Sequence, residues 1–204
     1  MLKKRLIFTL LVDGDNFVLS RNFNLQKVGD INWLLDNYNF SNVSNFIDEL
    51  VVLNIRNKKK KFNNFCKILK KITKKIFIPI AAGGGINSVS DVKKLLRSGA
   101  DKIVLNSMIL EENQELIKIY KYIGKQSIIG SLDVKLLNKT YFVYNNNKNI
   151  NQSELSEIFD KKKLNYIGEI YLNSIDKDGT GQGYDFQMLK NIKKMKFQLY
   201  WLER

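Results

Sequence analysis

The sequence feature that most restricts the fold of this chain is a regular alternation between short apolar runs and amphipathic stretches. The apolar runs predict strands, whereas the stretches between them repeat their apolar positions with the period of a helix. The predicted strands are 6–12, 49–55, 76–82, 102–107, 127–134, 169–174 and 196–202. The predicted helices are 30–38, 63–74, 88–98, 113–123, 153–164 and 185–194. Nearly continuous apolar strands that alternate with helices indicate a parallel sheet covered by helices.

Seven strands in this order suit either an open doubly wound α/β sheet or a TIM (β/α)₈ barrel, and two observations favour the barrel. Residues 49–55 are echoed by residues 169–175, so the second half of the chain weakly repeats the first. Polar residues also gather where the strands end, which is where such barrels place their active sites. The 204 residues suffice for one sizeable core. We therefore expect one barrel domain over residues 1–204.

The last residues of the sequence predict that this barrel is incomplete. The seventh predicted strand ends at 202, and no eighth strand or final helices are predicted after it. We expect about seven strands, with strand edges and apolar surface that would limit solubility.

Composition excludes several kinds of chemistry. The chain has no histidine, which rules out histidine triads, histidine metal sites and histidine acid–base catalysis. Cys66 is the only cysteine, so no intrachain disulfide can form and a reducing compartment, the cytoplasm, is expected. Cys66 falls among helix-patterned apolar residues and is interpreted as core packing. We predict no metal and no cofactor.

We predict neither a membrane nor a nucleic acid as a partner of this chain. No apolar run reaches the roughly 18 residues of a membrane span. The run 6–12 imitates the start of a signal peptide, but acidic residues follow it where a cleavage site would lie. The formal charge of +14 is compatible with nucleic-acid binding. The densest basic run, 58–61, lacks interleaved aromatics, so an anionic small-molecule substrate or partner fits the charge better.

A triple glycine, residues 83–85, directly follows the third predicted strand. Consecutive glycines let the backbone approach a ligand closely and point several N–H groups at an anion, although a tight strand-to-helix turn explains them equally well. The next strand ends in a polar pair, and the two loops would be neighbours in a barrel. The predicted phosphate site consists of Gly84, Gly85, Asn106 and Ser107.

A second polar segment, residues 173–181, follows the sixth predicted strand. Its Asp-x-Asp-Gly spacing also occurs in calcium loops, but Gln187 stands where an EF-hand requires a glutamate. We therefore interpret Asp178, Gly179 and Thr180 as a turn at the barrel mouth that binds a sugar phosphate.

Asp133 lies at the end of the apolar run 128–132. A carboxylate at the lip of a barrel can act as a general acid or base. A helix cap or a solvated loop carboxylate is the alternative.

Four charged residues of alternating sign stand at the starts of strands, where they would ring the amino-terminal mouth of a barrel. They are Arg5, Glu49, Lys102 and Glu169. A plug of salt bridges is the simplest role for such a ring.

Taken together, these segments resemble the cyclase subunit of imidazole-glycerol-phosphate synthase from Met1 to about residue 195. The matching motifs run in order along the chain, which makes the set far more specific than any one of them. They are residues 2–7, 48–51, 77–80 leading into the triple glycine, 98–102, 106–107, 174–180 and 183–185.

The resemblance implies a heterodimer with a glutaminase that supplies ammonia. It implies that ammonia passes the charged ring and reaches a bisphosphorylated ribulosyl aminoimidazole-carboxamide intermediate, giving imidazole glycerol phosphate in histidine biosynthesis. It further implies that Asp133 is one of two catalytic carboxylates and that Asp101 belongs to the partner interface.

Three positions depart from the family pattern at the same mouth. Leu11 stands where the second catalytic carboxylate is expected, Asn54 replaces an aspartate, and Leu19 replaces a loop lysine. Asp13 and Asp15 lie nearby, but two residues along a strand amount to about 6–7 Å.

Residues 20–23 and 26–30 are similar to a divergent branch that accompanies amidotransferases of surface sugars. Two functions therefore stay open, a lyase that cyclises a bisphosphate and a weakened barrel that docks a glutaminase and conducts ammonia.

Overall fold

The computed structural model describes residues 5–43, 45–55, 59–111, 114–146, 148–159, 162–190 and 198–201. Contacts between Cα atoms divide the chain into two compact units. The first unit comprises Met1–Leu19 and Leu25–Val104, and the second comprises Ser20–Asn24 and Leu105–Arg204. Among the described residues, no helix combines the length and apolar character needed to cross a bilayer.

In its described residues, the first unit is built on four parallel strands. Its elements, with those that straddle its boundary, are β1 (Ile7–Asp13), β2 (Asn16–Arg21), β3 (Asn24–Asp30), α1 (Ile31–Asn37), α2 (Phe40–Val43), β4 (Glu49–Asn54), α3 (Lys59–Thr73), β5 (Ile80–Gly83), α4 (Val89–Arg97) and β6 (Lys102–Leu105). Strand β4 lies between β1 and β5, and β5 pairs with β6, all in parallel. Strand β2 adds to the other side of β1 in the antiparallel sense.

The core of the first unit explains why its strands read as continuous apolar runs. Leu50, Val51 and Val52 of β4 are all fully buried, so both faces of this strand are covered. Helix α4 begins where the sequence predicts, because the Ser88 side chain accepts a hydrogen bond from the Asp91 N–H.

The described residues of the second unit form three parallel strands and an antiparallel extension. Its elements are α5 (Ser107–Leu110), α6 (Gln114–Ile123), a 3₁₀ turn (Lys125–Ser127), β7 (Ile128–Leu137), β8 (Thr140–Asn145), β9 (Ile150–Glu154), α7 (Leu155–Phe159), a second 3₁₀ turn (Lys162–Tyr166), β10 (Glu169–Ser174), α8 (Phe186–Lys190) and β11 (Gln198–Trp201). Strand β10 pairs in parallel with β7 and with β11. Strands β8 and β9 continue from β7 as an antiparallel meander.

The alternation seen in the sequence is confirmed. The seven predicted strands correspond to β1, β4, β5, β6, β7, β10 and β11, and each predicted helical stretch contains a helix. The hairpin of β2 with β3 and the meander of β8 and β9 were not predicted. Both insert antiparallel strands between a parallel strand and its helix.

Candidate active site

The carboxylate of Asp133 is the centre of a polar cluster in the second unit. Asp133 lies in β7, opposite Asn173 of β10, and is 9% exposed. Its Oδ1 accepts a hydrogen bond from Asn173 Nδ2 at 2.9 Å. Its Oδ2 accepts from Asn146 Nδ2 at 2.6 Å and from Asn106 Nδ2 at 3.2 Å. The side-chain amides of Asn106, Asn146 and Asn173 therefore all donate to this one carboxylate.

The cluster suits proton transfer by Asp133. Carboxamides neither gain nor lose protons near neutral pH, so Asp133 is the member of the group that can move one. An ionised carboxylate only accepts hydrogen bonds, and N–H donors to both of its oxygens match that form. Asp133 is the sixth of the ten residues of β7, which extends to Leu137 beyond the predicted strand 127–134, and its role as a general acid or base stays a prediction.

Asn106 and Ser107 belong to the same unit but differ in what they contact. The Asn106 amide donates to the Ser131 carbonyl at 3.0 Å as well as to Asp133. Ser107 is the first residue of the short helix α5, and its carbonyl accepts from the Glu111 N–H. The sequence analysis predicts that both residues bind a substrate phosphate, and that role stays a prediction.

Asp178 binds the turn between β2 and β3, the part of that hairpin that belongs to the second unit. Its side chain is 2% exposed, and its Oδ2 accepts from Ser20 Oγ at 2.5 Å and from the Phe23 N–H at 3.1 Å. A Cβ atom on Gly179 would lie 2.2 Å from the Ser20 carbonyl oxygen. The requirement for Asp-Gly at this turn is therefore explained by its close packing on residues 20–23.

Thr180 and Asp185 stabilise the rest of the same loop. Thr180 Oγ1 donates to the Lys177 carbonyl at 2.9 Å. Asp185 accepts from Tyr141 Oη at 2.8 Å and from Ser174 Oγ at 3.1 Å. Burial, reinforced by the carboxylate of Asp185, raises the pKa of Tyr141 above its ordinary value. The sequence motif contains Asp185, but sequence reasoning assigned it no contact.

The triple glycine lies in the first unit and contacts the end of β4. Gly84 has a φ of +95°, and a Cβ atom there would lie 1.9 Å from the Asn54 carbonyl oxygen. Gly85 also has a positive φ, of +75°. These values explain why the turn needs glycines, while phosphate binding by Gly84 and Gly85 stays a prediction.

Asn54 is buried at this turn, with 5% of its surface exposed. Neither polar atom of its amide has a hydrogen-bond partner among the described residues. A buried amide without partners is costly and is usually explained by a water, an ion or a ligand. Sequence reasoning identified this position only as the loss of a carboxylate.

The expected second carboxylate has no counterpart at Leu11. Leu11 is 4% exposed and lies opposite Leu53 of β4 and Val18 of β2, in an apolar setting. Asp13 is the last residue of β1. Asp15 accepts a hydrogen bond from Asn64 of α3 at 2.5 Å.

Three members of the charged ring meet in the first unit. Glu49 is 1% exposed, and its Oε2 accepts from Arg5 Nη1 at 3.0 Å and from Lys102 Nζ at 3.1 Å. Glu169, the fourth member, is the first residue of β10 in the second unit and is 7% exposed. Asp101 accepts from the Ile80 N–H at 2.8 Å and so fixes the start of β5.

Two further expectations concern cysteine and metals. Burial raises the pKa of the Cys66 thiol, which favours the neutral form of this residue on α3. In the part of the chain that the structure describes, no group of three or more acidic or cysteine side chains is arranged to hold a metal ion.

Comparison with known proteins places these features in a family. Residues 11–200 match the family described as histidine biosynthesis protein. A protein of Parasynechococcus marenigrum, provisionally named imidazole glycerol phosphate synthase subunit hisF2, is 40% identical over 95% of this chain and 72% of its own length. The subunit of the same provisional name from Campylobacter jejuni is 33% identical over 98% and 79%. The imidazole glycerol phosphate synthase subunit HisF of Helicobacter hepaticus is 34% identical over 95% and 77%.

Proposed function

The chain belongs to the histidine biosynthesis protein family, a TIM-barrel family, and from that premise we propose that it is a cyclase-type subunit of imidazole-glycerol-phosphate synthase. The names of its relatives support the assignment, since they are subunits of that enzyme. The expected barrel class agrees with the parallel strands of both units. The observation that carries the proposal is the buried carboxylate of Asp133 with its amide donors.

In the proposed reaction, ammonia attacks a bisphosphorylated ribulosyl aminoimidazole-carboxamide intermediate. The products are imidazole glycerol phosphate and an aminoimidazole ribotide. Asp133 transfers a proton as general acid or base, a contribution of about 10²–10⁴ in rate for a well-positioned group. The substrate phosphates are assigned to Gly84 and Gly85 in the first unit, and to Asn106, Ser107 and Asp178 to Thr180 in the second.

The proposed partner is a glutaminase subunit that forms a heterodimer with this chain in the cytoplasm. The subunit names of the relatives support a multi-subunit enzyme. We assign Arg5, Glu49, Lys102 and Glu169 to an ammonia gate, and Asp101 to the partner interface. The ion pairs of Glu49 with Arg5 and Lys102 support an organised charge cluster at the strand starts.

A second function is favoured by the surroundings of Leu11. An apolar residue that is 4% exposed replaces the second carboxylate, and the chemistry of a carboxylate cannot be supplied by leucine. The chain would then act mainly as the ammonia-conducting and docking subunit of an amidotransferase that modifies surface sugars.

Turnover with free ammonium and the bisphosphate intermediate distinguishes the two functions, because ammonium bypasses the partner. Under the first function, the 204-residue chain forms imidazole glycerol phosphate, and Asp133→Asn lowers the rate about 10²–10⁴-fold. The matched control is Asp48→Asn, which alters a carboxylate that accepts from the Leu6 N–H and should leave the rate unchanged. An inactive wild-type chain that still stimulates a glutaminase would support the second function and overturn the first.

A further inference from the structure

We propose that Asn146, at the turn between β8 and β9, is a positioning residue for the Asp133 carboxylate. The inference rests on the proposed function of Asp133 and adds a residue that lies outside the family motifs in the sequence. The Asn146 amide donates to Asp133 at 2.6 Å from Nδ2 to Oδ2, a shorter distance than those of Asn173 and Asn106.

The path of the chain brings Asn146 to this carboxylate. Strand β8 pairs with β7 in the antiparallel sense, with Tyr144 opposite Asp133. Asn146 follows the end of β8 and reaches back to the carboxylate across that pair. The donor therefore comes from the β8–β9 turn and not from the parallel strands.

Hydrogen bonds of Asn145 restrain the described residues of the β8–β9 turn, which allows Asn146 to position the Asp133 carboxylate. Asn145 is 1% exposed; its Oδ1 accepts from the Lys148 N–H, and its Nδ2 donates to Gln152 Oε1 at 2.7 Å. Gln152 in turn donates to the Leu110 carbonyl at 2.6 Å, at the end of α5. These hydrogen bonds tie the turn to the segment that begins with Asn106.

The exposure of the two side chains distinguishes a role of Asn146 in positioning Asp133 from a role in stabilising the fold. Asn146 is exposed whereas Asp133 is buried, so an exposed side chain holds a group on which the chemistry depends. Asn106 and Asn173 still donate to the carboxylate when Asn146 is replaced, so the fold loses one of several hydrogen bonds to this group. A small displacement of a catalytic group can instead cost about 10²-fold in rate.

Three substitutions at the same position test the proposal. Asn146→Ala removes the donor, Asn146→Asp keeps the shape but replaces the donor with acceptors, and Asn146→Gln keeps the amide. We expect Asn146→Ala and Asn146→Asp to lower kcat about 10- to 100-fold with KM nearly unchanged. Asn146→Gln should recover part of that loss. The control is Asn149→Gly, which removes the acceptor of the Tyr144 hydroxyl in the same turn.

A second measurement does not depend on activity. In protein labelled with ¹³C at the aspartate carboxyl groups, the Asp133 signal is identified by its loss in Asp133→Asn. That signal should move in Asn146→Ala and Asn146→Asp and stay in place in Asn149→Gly. An unmoved signal, or an unchanged kcat in an active enzyme, overturns the role of Asn146. A moved signal in a chain without cyclase turnover supports the contact and counts against the proposed function alone.

Discussion

Replacing Gly84 with alanine should destabilise the protein more than the same change at Gly181. Both glycines have a positive φ, +95° and +67°, so alanine incurs the left-handed penalty of about 1–2 kcal/mol at both positions. Alanine also lowers the conformational entropy of the unfolded chain relative to glycine. This effect raises the free energy of unfolding by roughly 0.4–1 kcal/mol in both variants. The backbone terms therefore nearly cancel in the comparison.

The two positions differ in the space around the added methyl group. At Gly84 the new Cβ would lie 1.9 Å from the Asn54 carbonyl oxygen and 3.0 Å from the Asn54 nitrogen, both backbone atoms. At Gly181 no described atom lies within 4 Å of the added Cβ. Relieving the first contact requires a shift of β4 or of the loop, and such forced shifts cost about 1–3 kcal/mol. We expect Gly84→Ala to lose about 1–5 kcal/mol in total and Gly181→Ala about 0–2 kcal/mol, a difference of about 1–3 kcal/mol.

Urea unfolding followed by circular dichroism measures both free energies by linear extrapolation. The melting temperature should fall by roughly 2–4 °C for each kcal/mol in a chain of this size. Equal losses of stability in the two variants would refute the argument, because they would show that the approach of Gly84 to Asn54 carries no cost. A side chain at Gly84 is thus expected to alter the fold as well as any binding of phosphate.

Two further predictions concern buried polar groups. Tyr141→Phe should lower the unfolding free energy by about 1 kcal/mol at neutral pH by removing the bond to Asp185. The pKa of Tyr141 is raised in the folded state, so its contribution is complete below the unfolded pKa near 10 and is lost as pH rises further. The gap between wild type and variant in urea titrations should therefore shrink above pH 10, and a constant gap would contradict this assignment. Asn54→Leu should stabilise the ligand-free protein by about 1 kcal/mol, because it removes two buried polar atoms that have no partner among the described residues. If that amide serves a ligand, calorimetry should show weaker binding of the bisphosphate, whereas a less stable variant would indicate that the amide is satisfied.

The parallel strands were predictable because burial on both faces leaves a simple signal. The run from Leu50 to Val52 is fully covered, so every position is apolar and no alternation is needed to recognise it. The helix that begins after Ser88 was predictable from its capping residue, which forms the expected hydrogen bond to the Asp91 N–H. Local chemistry determines both features.

The antiparallel strands were missed for two different reasons. Strand β3 is exposed along most of its length, so its sequence carries no buried face that could be recognised. Strand β8 does alternate between half-buried and buried positions, and the positive φ angles of Asn138 and Lys139 form the turn before it. Such a turn, followed by alternating aromatic and β-branched residues, is typical of a β-hairpin. The hairpin was missed because the chain was interpreted throughout as strands that alternate with helices.

The sequence identified Asp133 as a candidate but did not identify the residues that contact it. Asp133 was identified because it ends the apolar run 128–132 of the sequence, and such barrels place their active sites where strands end. Its donors Asn173 and Asn146 lie 40 and 13 residues away in sequence, and each reaches it through a different strand pairing. The pairing of β7 with β10 follows from the predicted parallel order, whereas the pairing with β8 depends on the missed hairpin. The predicted order of parallel strands therefore gives no information about a residue that follows the inserted strand β8. Asn146 could be identified only once the register of β8 against β7 was known.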